Sequence, residues 1–119
     1  MRHKKNTVTL DRKAGPRKAM LRSAAISLIM NEKITTTPTK AKAVRRLVER
    51  VITRGKKGDF NAIRYVERKL NNKDAALHVV NVLSPRFEKR EGGYTRMLKV
   101  APRKGDGAEQ VVLEFVDKK

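Results

Sequence analysis

Lysine and arginine are the residues of this sequence most capable of chemistry, and they occur in clusters. The 119 residues include 30 Lys and Arg against 12 Asp and Glu, which gives a formal net charge of +18. Three stretches, residues 1–22, 40–57 and 86–104, carry this excess. Because an anionic partner relieves self-repulsion of this size, and nucleic acid is the commonest such partner, the composition predicts phosphate binding.

The middle stretch places its cations on a helix. Residues 38–54 have apolar side chains at helical spacing, and Lys42, Arg46 and Arg50 fall four residues apart on the opposite face. Their separation along the axis is roughly 6 Å, close to the phosphate repeat of a nucleic-acid strand. We predict that this row and Lys40 bind phosphates. The alternative is a solvated helix face on which Glu49 pairs locally.

The first stretch lacks an apolar period. Residues 1–13 are predicted to form a basic arm that becomes ordered on a partner, in front of a single globular domain over residues 14–119. The alternative is an untethered tail. The cations assigned to binding in and just after this arm are Arg2, His3, Lys4, Lys5, Arg12, Lys13, Arg17 and Lys18.

The third stretch combines glycines, a ring and cations. Gly92 and Gly93 directly precede Tyr94, and glycine allows a backbone to approach phosphates closely. Strand alternation would place Tyr94 and Arg96 on one face, where the tyrosine offers a ring for stacking. The predicted RNA-binding residues of this glycine elbow are Arg86, Arg90, Gly92, Gly93, Tyr94 and Arg96; the alternative is a plain strand start.

Other functional classes have little support in the sequence. His3 and His78 are isolated, no acidic pair has a spacing suited to acid–base work, and no cluster has metal-ligand spacing, so we expect no catalytic site, metal or cofactor. The absence of Cys suits a reducing cytosol, and we expect neither a secretion signal nor a membrane span. Five aromatic residues are too few for a single-strand stacking platform.

The elements that position the cations follow from the apolar pattern. Gly15-Pro16 marks a helix start, residues 34–37 read as a short strand, and helices are predicted over about 38–54, from residue 60, and over 73–83 up to Ser84-Pro85. Two strands joined by a glycine-containing loop follow the elbow. The predicted fold is a two-layer α/β (α+β) domain of four helices on a three-stranded mixed sheet, in the order helix, strand, three helices, two strands.

Two long stretches resemble a known family. "ITTTPTKAKAVRRLVERVI" at Ile34–Ile52 and "SPRFEKREGGYTRMLKV" at Ser84–Val100, with "MRH" at the start and "GDGA…VVLEFVD" near the end, are similar to the bacterial large-subunit ribosomal protein seventeen family. The resemblance implies a structural, cytoplasmic constituent of the large ribosomal subunit that binds its rRNA near the nascent-chain exit, beside ribosomal protein thirty-two. It also implies that the glycine elbow approaches folded rRNA, that Arg90 and Arg96 neutralise phosphates, and that Tyr94 packs where protein meets RNA.

Two other interpretations belong to different classes. A nucleoid-type DNA-binding protein would share the charge, but it would bind duplex DNA as well as rRNA and remain free of ribosomes. An RNA-modifying enzyme would need a base or a cofactor site that the sequence does not provide.

Overall fold

The computed structural model describes residues 14–116, and residues 1–13 and 117–119 lie outside the described part of the chain. The predicted N-terminal arm therefore falls outside it. Within residues 14–116, no helix is both long enough and apolar enough to span a bilayer.

The first half of the described chain consists of two long helices and a short strand. Helix α1 spans Ala14–Asn31, strand β1 spans Lys33–Thr36 and helix α2 spans Pro38–Gly55. Proline fits the first turn of α2 because backbone N–H groups in a first turn have no intrahelical acceptor, so the helix loses no hydrogen bond when that group is absent. Thr37 is the N-cap in an extended conformation, although its side chain makes no capping hydrogen bond.

Asparagine and aspartate residues define the ends of the next helices. Helix α3 spans Phe60–Leu70, and Asp59 Oδ1 accepts a hydrogen bond from the Ala62 N–H at 2.8 Å. Asn71 ends α3 in the left-handed conformation, and Asn72 then caps helix α4, Lys73–His78.

The predicted end of the fourth helix at Ser84-Pro85 is wrong. After α4 the backbone continues as a π-helical segment, Val79–Leu83, and then as a short α-helix, α5, Ser84–Arg86. Proline lies within the first two positions of α5, where it is tolerated, so it does not stop the helical run.

The sheet is antiparallel throughout, not mixed as the sequence predicted. Strand β2 spans Thr95–Val100 and β3 spans Gln110–Phe115, and the order across the sheet is β1-β3-β2. Both neighbours of β3 run antiparallel to it. The prediction failed because side-chain alternation shows which face of β1 is buried but not the direction in which the strand runs.

The core lies between the helices and one face of the sheet, as expected for two layers. Leu113 of β3 pairs with Ile34 and Met97, and these residues contribute to the core. Three rings form its aromatic part: Phe87 packs against Tyr94 with centroids 5.1 Å apart and against Phe115 at 5.8 Å.

Gly55 allows the end of α2 to approach the π-helical segment closely. A Cβ added there would lie 2.9 Å from Ser84 Oγ and 3.2 Å from Val79 Cγ1. Ser84 Oγ also donates to the Ile52 carbonyl at 3.4 Å. Gly55 therefore provides the space in which these two segments pack.

Candidate nucleic-acid interface

Three helices together form a groove lined with positive side chains, which we call the cationic groove. It lies between α1, α2 and α3 and has a volume of about 830 Å³. Seven Lys or Arg residues line it, and Glu49 is the one acidic residue among its described lining side chains. The cations are Arg17, Lys18 and Arg22 from α1, Arg46 and Arg50 from α2, and Arg68 and Lys69 from α3.

Helical spacing explains why each element contributes to the same groove. Arg46 and Arg50 are one turn apart on the exposed face of α2, opposite its buried stripe. Arg68 and Lys69 lie in the last turn of α3, where cations interact favourably with the negative end of the helix dipole. The groove is therefore a product of tertiary packing rather than of any one segment.

A smaller hollow continues the positive surface along α2, and we call it the Tyr65 hollow. It has a volume of about 510 Å³ and is lined by Glu49, Arg50, Thr53, Arg54, Lys57 and Tyr65. Because Glu49 and Arg50 line both hollows, the two are neighbours. The Arg54 guanidinium carbon lies 4.9 Å from the Tyr65 ring centroid, and Lys69 Nζ lies 5.6 Å from it.

The acidic residue Glu49 lies in this positive surface because its carboxylate joins α2 to the sheet. Its Oε2 accepts a hydrogen bond from Thr95 Oγ1 at 2.8 Å and another from Arg45 Nε at 3.3 Å. The first of these links α2 to β2, and the second pairs the negative charge with a cation of its own helix. Glu49 thus connects the helical layer to the sheet, and Arg45 balances its negative charge.

The groove includes some of the residues predicted from the sequence but not others. Arg17, Lys18, Arg46 and Arg50 line it, whereas Lys40 and Lys42 lie on α2 outside both hollows. The predicted residues Arg2, His3, Lys4, Lys5, Arg12 and Lys13 lie outside the described residues.

Sequence reasoning missed five cations of this surface. They are Arg22, Arg68 and Lys69 in the groove, and Arg54 and Lys57 in the Tyr65 hollow. Arg54 continues the four-residue spacing of Arg46 and Arg50, so that row could have been extended from the sequence. The other groove residues required knowledge of how α1 and α3 pack against α2.

The glycine elbow is a turn that directs a ring into the core. Gly92 and Gly93 have φ angles of 106° and 64°, which favour glycine. Tyr94 is fully buried, and its hydroxyl lies 2.9 Å from Thr53 Oγ1. The prediction that Tyr94 offers a stacking face is therefore wrong, as is its placement on one face with Arg96, which is exposed.

The arginines around the elbow have protein partners. Arg86 is paired with Glu32, and Arg96 Nε lies 2.9 Å from Glu114 Oε1 on the neighbouring strand. The main chain at Arg90 is also held, because Lys56 Nζ donates to its carbonyl oxygen. A phosphate would have to compete with a carboxylate for Arg86 and Arg96.

Comparison with known proteins assigns the chain to a family. The sequence model of ribosomal protein L17 matches residues 20–116. The chain is 50% identical over 115 residues to the large ribosomal subunit protein bL17 of Bdellovibrio bacteriovorus, covering 97% of this chain and 64% of that protein. It is also 50% identical to bL17 of an Exiguobacterium species, over 90% of this chain and 96% of that protein. It is 43% identical to bL17 of Campylobacter hominis, over 98% of this chain and 99% of that protein.

The chain belongs to the ribosomal protein L17 family. This confirms the resemblance seen in the sequence. It also confirms the assigned class, a structural and non-enzymatic ribosomal protein of the cytoplasmic large subunit. Among residues 14–116, no three His, Asp or Glu side chains come together as a potential metal site.

Proposed function

We propose that this member of the L17 family binds large-subunit rRNA mainly through phosphate and sugar contacts in the cationic groove. The observation that carries the proposal is the convergence of seven Lys and Arg side chains from three helices on one groove. Glu49, the one acidic residue among the described lining side chains, is already paired with Arg45, so it does not offset the positive surface strongly. A groove of this kind suits a folded RNA contacted through its backbone.

The N-terminal arm would extend this contact. It joins α1 directly before Ala14, and Arg17 and Lys18 line the groove within the first two turns of that helix. The arm is thereby attached beside the groove, and its cations can reach the same RNA. We propose that it becomes ordered on rRNA, as basic segments without an apolar period commonly do.

The sheet offers a second surface for neighbours in the subunit. Its face away from the helices exposes Leu98 and Val100, which are 45% and 39% exposed. Apolar side chains of this kind suit a protein neighbour better than RNA phosphates. We propose ribosomal protein thirty-two as that neighbour, in the region of the nascent-chain exit that the family resemblance implies.

Sedimentation of the tagged protein from cell lysate tests the functional proposal. It should migrate with large ribosomal subunits and bind large-subunit rRNA in preference to duplex DNA of equal length. Recovery solely outside ribosomes, with equal affinity for duplex DNA, would instead support the nucleoid-type function. Crosslinking within isolated subunits tests the neighbour, since ribosomal protein thirty-two should be recovered from variants with a crosslinker at Leu98.

A further inference from the structure

One arginine of the cationic groove is held in place by the main chain. Arg22 on α1 is half-buried, and its Nε donates a hydrogen bond to the carbonyl oxygen of Lys69 at 3.2 Å. That carbonyl lies in the last turn of α3, where carbonyl groups lack intrahelical partners. Asn71 satisfies a different carbonyl, that of Glu67. Arg22 therefore completes the end of α3, and this contact restricts its guanidinium group.

The partner of Arg22 leaves its positive charge available. Arg45, Arg86 and Arg96 each donate to a carboxylate, which opposes the charge that a phosphate would meet. Arg22 instead donates its Nε to a neutral carbonyl. The terminal Nη groups form the other edge of the same planar group and can bind two oxygens of one phosphate.

A second helix of the groove provides another cation. Arg50 of α2 is exposed, lines both the groove and the Tyr65 hollow, and lies on a different helix from Arg22. A guanidinium fixed before binding loses less conformational entropy on contact than a freely rotating one. The two residues thus combine one fixed donor with one adaptable donor.

We propose that Arg22 is the fixed phosphate-binding point of the cationic groove, taking one rRNA backbone phosphate bidentately while Arg50 binds a neighbouring phosphate. This inference rests on the proposed function and deepens it. It adds a binding residue that the charge pattern did not identify, because Arg22 lies in a largely apolar helix. It also predicts that the groove contributes through particular phosphates rather than through its net charge alone.

Binding of the full chain to a large-subunit rRNA transcript tests this, with Arg22→Lys as the main variant. Lysine retains the charge and can still reach the Lys69 carbonyl, but it cannot form the planar fork. We expect the dissociation constant to rise about tenfold at fixed salt. The matched control is Arg64→Lys on α3, where the arginine stacks on Phe60 outside the groove. The dissociation constant of this variant should stay within about twofold of the wild-type value, because the charge is unchanged.

Ethylation interference on the RNA phosphates locates the contact. Wild-type binding should be blocked by ethylation at a discrete pair of phosphates, and Arg22→Lys should lose sensitivity at one of them. Arg50→Gln, on an exposed helix face, should lose sensitivity at the other and serves if Arg22→Lys does not fold. An unchanged interference pattern in both variants, or equal losses of affinity for Arg22→Lys and Arg64→Lys, would overturn the assignment. Failure of the wild type to bind rRNA would instead contradict the proposed function.

Discussion

The cationic groove and the glycine elbow are both rich in positive residues, yet they use them differently. In the cationic groove, Arg22 donates a hydrogen bond to a neutral carbonyl, and seven Lys and Arg residues line the groove. At the elbow, Arg86 and Arg96 are paired with Glu32 and Glu114, and Tyr94 is buried. The difference teaches that the partner of each cation, rather than the local density of charge, indicates whether it is available to RNA. Changes at the elbow should therefore affect folding first, and changes in the groove should affect binding first.

Among the variants that test this comparison, Tyr94→Ala should cause the largest loss of folding stability. It removes a fully buried ring that packs against Phe87 and bonds to Thr53, so the free energy of unfolding should fall by about 3–5 kcal/mol. Urea denaturation measures this loss. Tyr94→Phe is the control: it keeps the ring and lacks only the hydroxyl group, which costs about 1 kcal/mol. If Tyr94→Ala remained as stable as the wild type while losing rRNA binding, the ring would be an RNA contact after all.

Gly93→Val should rank second. The glycine has a φ of 64°. Among the described residues, no atom beyond its two chain neighbours lies within 4 Å of the position that a Cβ would occupy, so the cost arises from backbone conformation rather than from lack of space. We expect a loss of about 1–3 kcal/mol in the free energy of unfolding. Lys99→Ala is the control, since an exposed cation contributes little to folding. In competition for large subunits, equal incorporation of the two variants would argue that the elbow tolerates a β-branched residue.

Arg96→Ala should have a smaller effect on folding. It removes a hydrogen bond to Glu114, which is buried, but the arginine itself is about half exposed, so a loss of about 1 kcal/mol is expected. Thermal unfolding compared with Arg96→Lys measures the contribution of the guanidinium group. The affinity for rRNA should fall less than it does when a groove arginine is removed. A larger fall would mean that Arg96 contacts rRNA.

Removing residues 1–13 should change stability least. The segment has no apolar stripe to pack on the domain, so the thermal midpoint should stay within a few degrees of the full chain. Binding to rRNA should weaken, because five Lys and Arg residues are removed. The check is a melting curve and a titration of the same truncated protein. A large drop in midpoint would mean that these residues pack against the core.

The fold could be read from the sequence where local chemistry determines it. The helix predicted over about 38–54 begins at Pro38, and the helix predicted from residue 60 begins at Phe60, because apolar side chains recur at helical spacing in both segments. The direction of β1 could not be predicted, because it depends on pairing with β3, which is distant in sequence. The continuation through Pro85 could not be predicted either, because proline is compatible both with the end of a helix and with the first turn of the next one.

The candidate site was predictable only in part. The row on α2 was visible because helical spacing alone aligns Arg46 and Arg50. Arg22 was hidden within an apolar helix, since its place in the groove depends on the packing of α1 against α3. The burial of Tyr94 was hidden as well, because a glycine turn followed by a ring is compatible with either an exposed or a packed side chain.

The salt dependence of rRNA binding by Arg46→Gln/Arg50→Gln tests the central claim most directly. Both side chains are exposed on α2, so the thermal midpoint should stay within a few degrees of that of the wild type. If the groove binds phosphates, the slope of log affinity against log salt should become shallower by roughly 0.7–0.9 for each phosphate that is no longer neutralised, and affinity at low salt should fall. Lys99→Ala, on the sheet, should leave the slope within error of the wild type. A double variant with the wild-type slope and affinity would contradict phosphate binding in the cationic groove.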